Sequence, residues 1–396
     1  MAETGYIKSL DGVRAIAILL VMTFHAELTH YGWIGVQLFF VLSGYLIIGI
    51  LWKEKSKTGE SLGFKFKKFW VRRSLRIFPL YYGYIAVLGI TYLVFNFPSY
   101  FESCFPYLVS YTANFPLQLL DNLRSPLINH LWSLSIEEQF YLFIPLFILL
   151  WPLRFTKKFL LVIIFLSPFI RFLWGEYYIN KNLPELVVSN GVNFNTLCQL
   201  DAFCMGGIIS VFSLDKRIKK PAPLFVGSLL AVIVFGLINF LTSPSTLNYF
   251  EDLGYHHYFT GNYQYIWQYT LLNIFFASLV LFLVSPNNKQ YFIGFRRMLE
   301  NKWMIKIGKV SYGMYIYHWL IWVYLFMKPF NPENYWVKVL LFIPYTIVVY
   351  LFSELSYRLF EYRFIKLKDR LFPPKNTTTS PATPSLAVNL VVEKKN

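Results

Sequence analysis

Residues 14–25 read RAIAILLVMTFH. An apolar stretch separates an arginine from a histidine. At 100° per residue, eleven positions make three turns plus about 20°, so both side chains share one helix face, about 16 Å apart along the axis. Either the two are a functional stripe, or Arg14 snorkels to a membrane surface and His25 bonds a neighbouring carbonyl. A polar residue inside a membrane costs about 3 kcal/mol and usually faces a cavity or a partner.

Working outward, the 396 residues are 56% hydrophobic, 20% aromatic and only 15% charged, well below the charged fraction of a soluble domain. Runs of about 20 apolar residues recur, each long enough to cross a bilayer as a helix. The expected fold class is all-α, a polytopic membrane protein with about ten spans. They fall near 10–28, 34–52, 79–96, 133–152, 159–174, 196–213, 223–241, 265–284, 311–328 and 336–357.

The net charge of +16 sits between the apolar runs, not in one patch. Roughly 32 of the 37 basic residues fall on one side if the N-terminus is inside, a bias that predicts N-in and C-in. No nucleic-acid module is visible, so no nucleic acid is expected as a partner. The three cysteines, Cys104, Cys198 and Cys204, have no disulfide or metal-ligand spacing. The first helix lacks the layout of a cleaved signal, because Asp11 and Arg14 interrupt it. The chain reads as one transmembrane domain over 1–371. A Pro-, Thr- and Ser-rich segment, 372–396, is expected to be a disordered cytoplasmic tail.

Other polar residues fall in or beside the spans. NHLWSLSIEEQFYLF sets Glu137 and Glu138 just inside the outer end of the fourth span. Adjacent residues point about 100° apart, so one of them at most faces a given site. A carboxylate beside His25 would favour its protonated form and make a general base; the same carboxylate could instead be structural glue. On the basic side, Arg73 and Arg76 in WVRRSLRIFP are three apart and share a face. Paired guanidinium groups suit phosphate, and they suit anionic lipid equally well. Ser133, Asp201, His318 and Gln37 complete the set, while Ser43 and Gly44 read as close-packing residues.

In this order and on these spans, the residues resemble the membrane-bound acyltransferase-3 family, which O-acylates sugars and other extracytoplasmic acceptors. LDGVRAIAILLVMTFH is similar to its first motif, GVQLFFVLSGYLI to its second helix, RRSLRIFPLYY to its RxxR element and LWSLSIEEQFYL to its fourth-helix motif. LDAFCMGG and SYGMYIYHW resemble later, weaker motifs. Gln37 stands where many relatives have Asp, and Gln199 where a basic residue is common. Some relatives carry an additional extracytoplasmic hydrolase-like domain, which this sequence is expected to lack.

The resemblance implies an O-acyltransferase in the cell (inner) membrane. Its donor substrate would be acyl-CoA, most often acetyl-CoA, and its acceptor a glycan or glycolipid. No bound cofactor and no metal are expected. Arg14, Arg73 and Arg76 would hold the donor, and His25 would deprotonate the acceptor hydroxyl with Glu138 orienting it. Asp11, Gln37, Ser133, Glu137, Asp201 and His318 would support the site or line its acceptor side. The competing function is a proton-coupled transporter or flippase using His25 and Glu138 as a relay. The inverted repeat common in transporters is not visible.

Overall fold

The computed structural model describes residues 6–118, 125–243, 252–256, 260–286 and 291–373. Most of the expected tail, from 374 onward, lies outside them. Among the described residues there are helices and no strands.

In chain order the helices are α1 (Lys8–His25), α2 (Ile34–Lys55), α3 (Leu62–Phe95), α4 (Phe101–Val109), α5 (Trp132–Leu150), α6 (Leu153–Ile179), α7 (Glu185–Asn193) and α8 (Thr196–Val211). There follow α9 (Leu214–Arg217), α10 (Ala222–Thr242), α11 (Gln264–Val284), α12 (Ile293–Leu299), α13 (Lys302–Ile321), α14 (Lys328–Phe330), α15 (Tyr335–Ser356) and α16 (Tyr362–Leu371). Each of the ten expected spans falls on one of these helices.

Among the described residues, seven helices are long and apolar enough to cross a bilayer, or eight if α7 and α8, bent by 46° at their junction, form one span. The two expected spans outside that set are α1 and α13. Lys8, Asp11 and Arg14 interrupt α1, and α13 mixes Lys306, Lys309, His318 and several tyrosines into its apolar sequence. Both are extensively buried and pack on each other. Lys8, Lys306 and Lys309 are exposed near one end, whereas protein surrounds Asp11 and His318, the setting in which intramembrane polarity is tolerated. The sequence expectation also shortened α3. The basic segment before residue 79 belongs to the same continuous helix, which Ser61 caps by accepting a hydrogen bond from the Phe64 amide at 3.3 Å. At 1.5 Å per residue this rod is about 51 Å long.

The centre is made by α2 against α8 and α1 against α13. Small residues allow both contacts. A methyl group at Gly44 would lie 1.9 Å from the Phe203 carbonyl oxygen, and one at Gly308 would lie 1.9 Å from that of Asp11. Close backbone approach through small residues is how helices associate without a hydrophobic driving force between them. The α1–α13 contact puts the ends of those helices, with His25 and His318, side by side.

Candidate active site

A cavity of about 730 Å³ opens at the end of the bundle opposite the basic loops. His25, the last residue of α1, lines it. Trp319 from α13 stacks on the imidazole with ring centroids 3.9 Å apart and planes at 28°, which fixes the plane of the ring. His318 lies behind, its centroid 5.0 Å from that of His25, and is fully buried. Its Nδ1 is 2.7 Å from the Tyr315 carbonyl oxygen. A carbonyl only accepts, so Nδ1 carries the proton and Nε2 is left as a buried acceptor without a partner. His130, just before α5, lines the same cavity 5.3 Å from His318 and bonds the Ile316 carbonyl at 3.1 Å. His130 was not singled out in the sequence. It lies in a short turn before the helix, where no periodicity marks its direction. Among the described residues, no group of three or more His, Cys, Asp or Glu is arranged to hold a metal.

The cavity continues inward. A narrower chamber of about 120 Å³ shares Val36 and Tyr315 with it. Arg14, Arg73 and Arg76 all line this chamber. Two arginines from α3 and one from α1 therefore converge on one space. A third cavity, about 410 Å³, shares Arg73 and Arg76 with the second and opens at the basic end, where Lys57, Lys65, Lys68, Arg72 and Lys368 surround it. The three lie in a row, adjoining at shared wall residues, from the basic end of the bundle to His25.

The remaining candidate residues divide. Asp11 is buried and accepts from Arg14 Nη1 at 2.6 Å and from the Tyr6 hydroxyl. It therefore holds Arg14 at the central chamber, a supporting position. Glu137 lines the central chamber and accepts from the Ser43 and Tyr141 hydroxyls, so Ser43 is a polar wall residue rather than mere packing. Ser133 bonds the Tyr315 hydroxyl at 2.5 Å. Gln37 lines the outer cavity, and its Nε2 donates to Gln199 Oε1 at 2.7 Å.

The structure gives His25 and Glu138, expected as a pair, different surroundings. His25 stands beside Asn129, His130 and Trp132 at the start of α5. Glu138 is six residues further along, about 9 Å deeper. It does not line the His25 cavity; its charged and tyrosine neighbours are Glu137, Arg73, Tyr81, Tyr82, Tyr111 and Tyr312.

Asp201 is also outside the path. It pairs with Arg171, and neither side chain is exposed. Arg171 further donates to the Cys198 carbonyl and Thr270 hydroxyl, both at 2.8 Å, tying α6 to α8 and α11. Asp201→Ala would leave a buried guanidinium without its counter-charge, at a cost of about 3–5 kcal/mol. The expected result is a clearly lower unfolding temperature in detergent for Asp201→Ala. An unchanged melting curve would show that the pair does not clamp the three helices.

These features define a polytopic helical membrane protein with a row of cavities between a polycationic end and a histidine site near the other end. The chain belongs to a family of acyltransferases: the model described as an acyltransferase domain matches residues 7–358. A protein of Staphylococcus aureus strain COL, provisionally named an O-acetyltransferase, is 29% identical over 91% of this chain and 58% of its own length. A peptidoglycan O-acetyltransferase of Listeria monocytogenes is 28% identical over 90% of this chain and 55% of its own. An O-acetyltransferase of Staphylococcus aureus strain NCTC 8325 is 27% identical over 91% and 57%. The chain thus spans a little over half the length of these relatives. No solved structure matches it.

Proposed function

We propose that this chain transfers an acyl group, in the simplest case acetyl, from acyl-CoA entering at the basic end to a hydroxyl of an envelope glycan in the outer cavity. The observation that carries the reading is the row of three adjoining cavities. The basic cavity suits the nucleotide phosphates of CoA, because paired guanidinium groups and clustered ammonium groups are phosphate ligands. The central chamber takes the pantetheine arm past Arg14. The thioester reaches His25, about 16 Å further along α1, a span of the same order as that arm. The names of the relatives support O-acetylation, and the one named for peptidoglycan makes cell-wall glycan the first acceptor to try.

In this mechanism neutral His25 takes the proton from the acceptor hydroxyl. The oxygen forms a bond to the thioester carbonyl carbon, the C–S bond breaks, and the proton passes to the departing CoA sulfur. Trp319 stabilises the transient imidazolium through its stacked ring; such a contact is worth about 0.5–2 kcal/mol. A route through an acyl-histidine is chemically possible at the same residue. Trapping of labelled acyl on His25 with donor alone distinguishes the two.

The test blocks the path without touching its ends. Val36 stands where the central and outer cavities meet. Val36→Trp is expected to abolish transfer from radiolabelled acetyl-CoA to a cell-wall glycan fraction while CoA still binds. Full transfer by a folded Val36→Trp protein would mean that the donor does not travel this way.

A further inference from the structure

The polar wall of the outer cavity carries a signal about the acceptor that the transfer chemistry does not use. Gln199 Nε2 donates to the Asn193 carbonyl at 2.8 Å. Its Oε1 therefore accepts, and Gln37 Nε2 donates to it at 2.7 Å. This relay fixes the orientation of the Gln37 amide. Gln37 is 1% exposed and lines the cavity, and its Oε1 is buried without a hydrogen-bond partner. Asn129 lines the same cavity, and its Oδ1 is likewise buried and unpartnered. A buried polar atom without a partner is costly, so each oxygen is a place prepared for a donor. Both are acceptors and neither carries charge.

The apolar part of the wall fits the same ligand. Trp33 and Trp132 line the cavity, and indoles cover the C–H faces of rings. Resting on the acyl-transfer reading above, we propose that the acceptor group seated beside His25 is an uncharged sugar that donates a hydroxyl or amide N–H to Gln37 Oε1, and that Gln37 thereby sets the acceptor class. A uronic acid carboxylate or a phosphate in this position sets negative oxygen against the lone pairs of Gln37 and Asn129. A site built for a donor rejects a group that leaves it unpaired.

The experiment uses the full chain in proteoliposomes with radiolabelled acetyl-CoA and two oligosaccharides of equal length. One is built of neutral N-acetylhexosamine, the other of hexuronate. Wild type is expected to acetylate the neutral chain at least about tenfold better. Gln37→Leu, which removes the acceptor oxygen, is expected to raise KM for the neutral chain about tenfold, the effect of one buried hydrogen bond, and to narrow the preference. Its melting curve in detergent, read beside the kinetics, separates lost recognition from misfolding. Gln37→Glu keeps an acceptor oxygen and adds charge; it is expected to keep the preference for the neutral chain. A wild type that favours hexuronate overturns this inference alone. So does a folded Gln37→Leu protein with unchanged KM and unchanged preference. A wild type that acetylates neither chain and releases no CoA overturns the transfer reading as well.

Discussion

His25→Ala is expected to reduce acetyl transfer by about 10²–10⁴, the usual contribution of a positioned general base, and to leave the affinity for acetyl-CoA nearly unchanged. On the proposed reading the donor's phosphates would dock in the cavities that Arg73 and Arg76 line, which His25 does not line. The loss therefore belongs in kcat, not in KM for the donor. His25 ends α1 against the Trp319 ring, so the alanine variant keeps the helix and loses the base. Label transfer in membranes at matched expression measures it. Equal transfer by variant and wild type would remove His25 from the chemistry. Glu138→Gln makes an informative companion, because its carboxylate lies outside the His25 cavity and a comparable loss in kcat would not be expected.

Arg73 and Arg76 carry the second large effect. Both line the central chamber and the basic cavity, so they stand where a phosphate must pass or rest. A hydrogen bond to a charged group contributes about 1.5–3 kcal/mol. The double variant Arg73→Ala, Arg76→Ala is accordingly expected to raise KM for acetyl-CoA by roughly 10²–10⁴, with kcat at saturation much less affected. Because surface lysines share the basic cavity, the remaining affinity should also weaken as salt rises. Titration of CoA release against donor concentration checks both statements. A normal KM in the double variant would assign these arginines to the lipid surface, the other role their spacing allows.

Much of this site was legible in the sequence because its parts lie on helices with regular geometry. Arg14 and His25 share a face by simple rotation, and the structure finds each lining a cavity on the same path. Arg73 and Arg76 obey the same rule. The rule fails where one residue's rotation decides the outcome. Glu137 and Glu138 differ by a single step, and the step sends Glu137 into the central chamber and Glu138 among tyrosines. Depth fails for a similar reason, since it depends on where α5 begins, and a short turn rather than the helix holds His130. Contacts between distant segments were not legible at all. The Gln37–Gln199 bond joins residues 162 positions apart, and the Asp201–Arg171 pair joins two helices that pattern alone does not bring together.

The narrow middle of the path has a bioenergetic meaning. A passage that joins the two faces of a membrane would let ions and protons run down their gradients. Here the middle chamber is small, about 120 Å³, and Phe39, Phe40, Leu46, Ile47 and Ile77 form much of its wall. These apolar side chains, among the arginines, Glu137, serines and tyrosines that complete the wall, narrow the space for a file of water along which an ion could cross. The three arginines add an electrostatic barrier against protons and other cations. On the proposed reading, the same narrowing that threads an extended acyl carrier would work as electrical insulation, so that the membrane keeps its potential while acyl groups cross it.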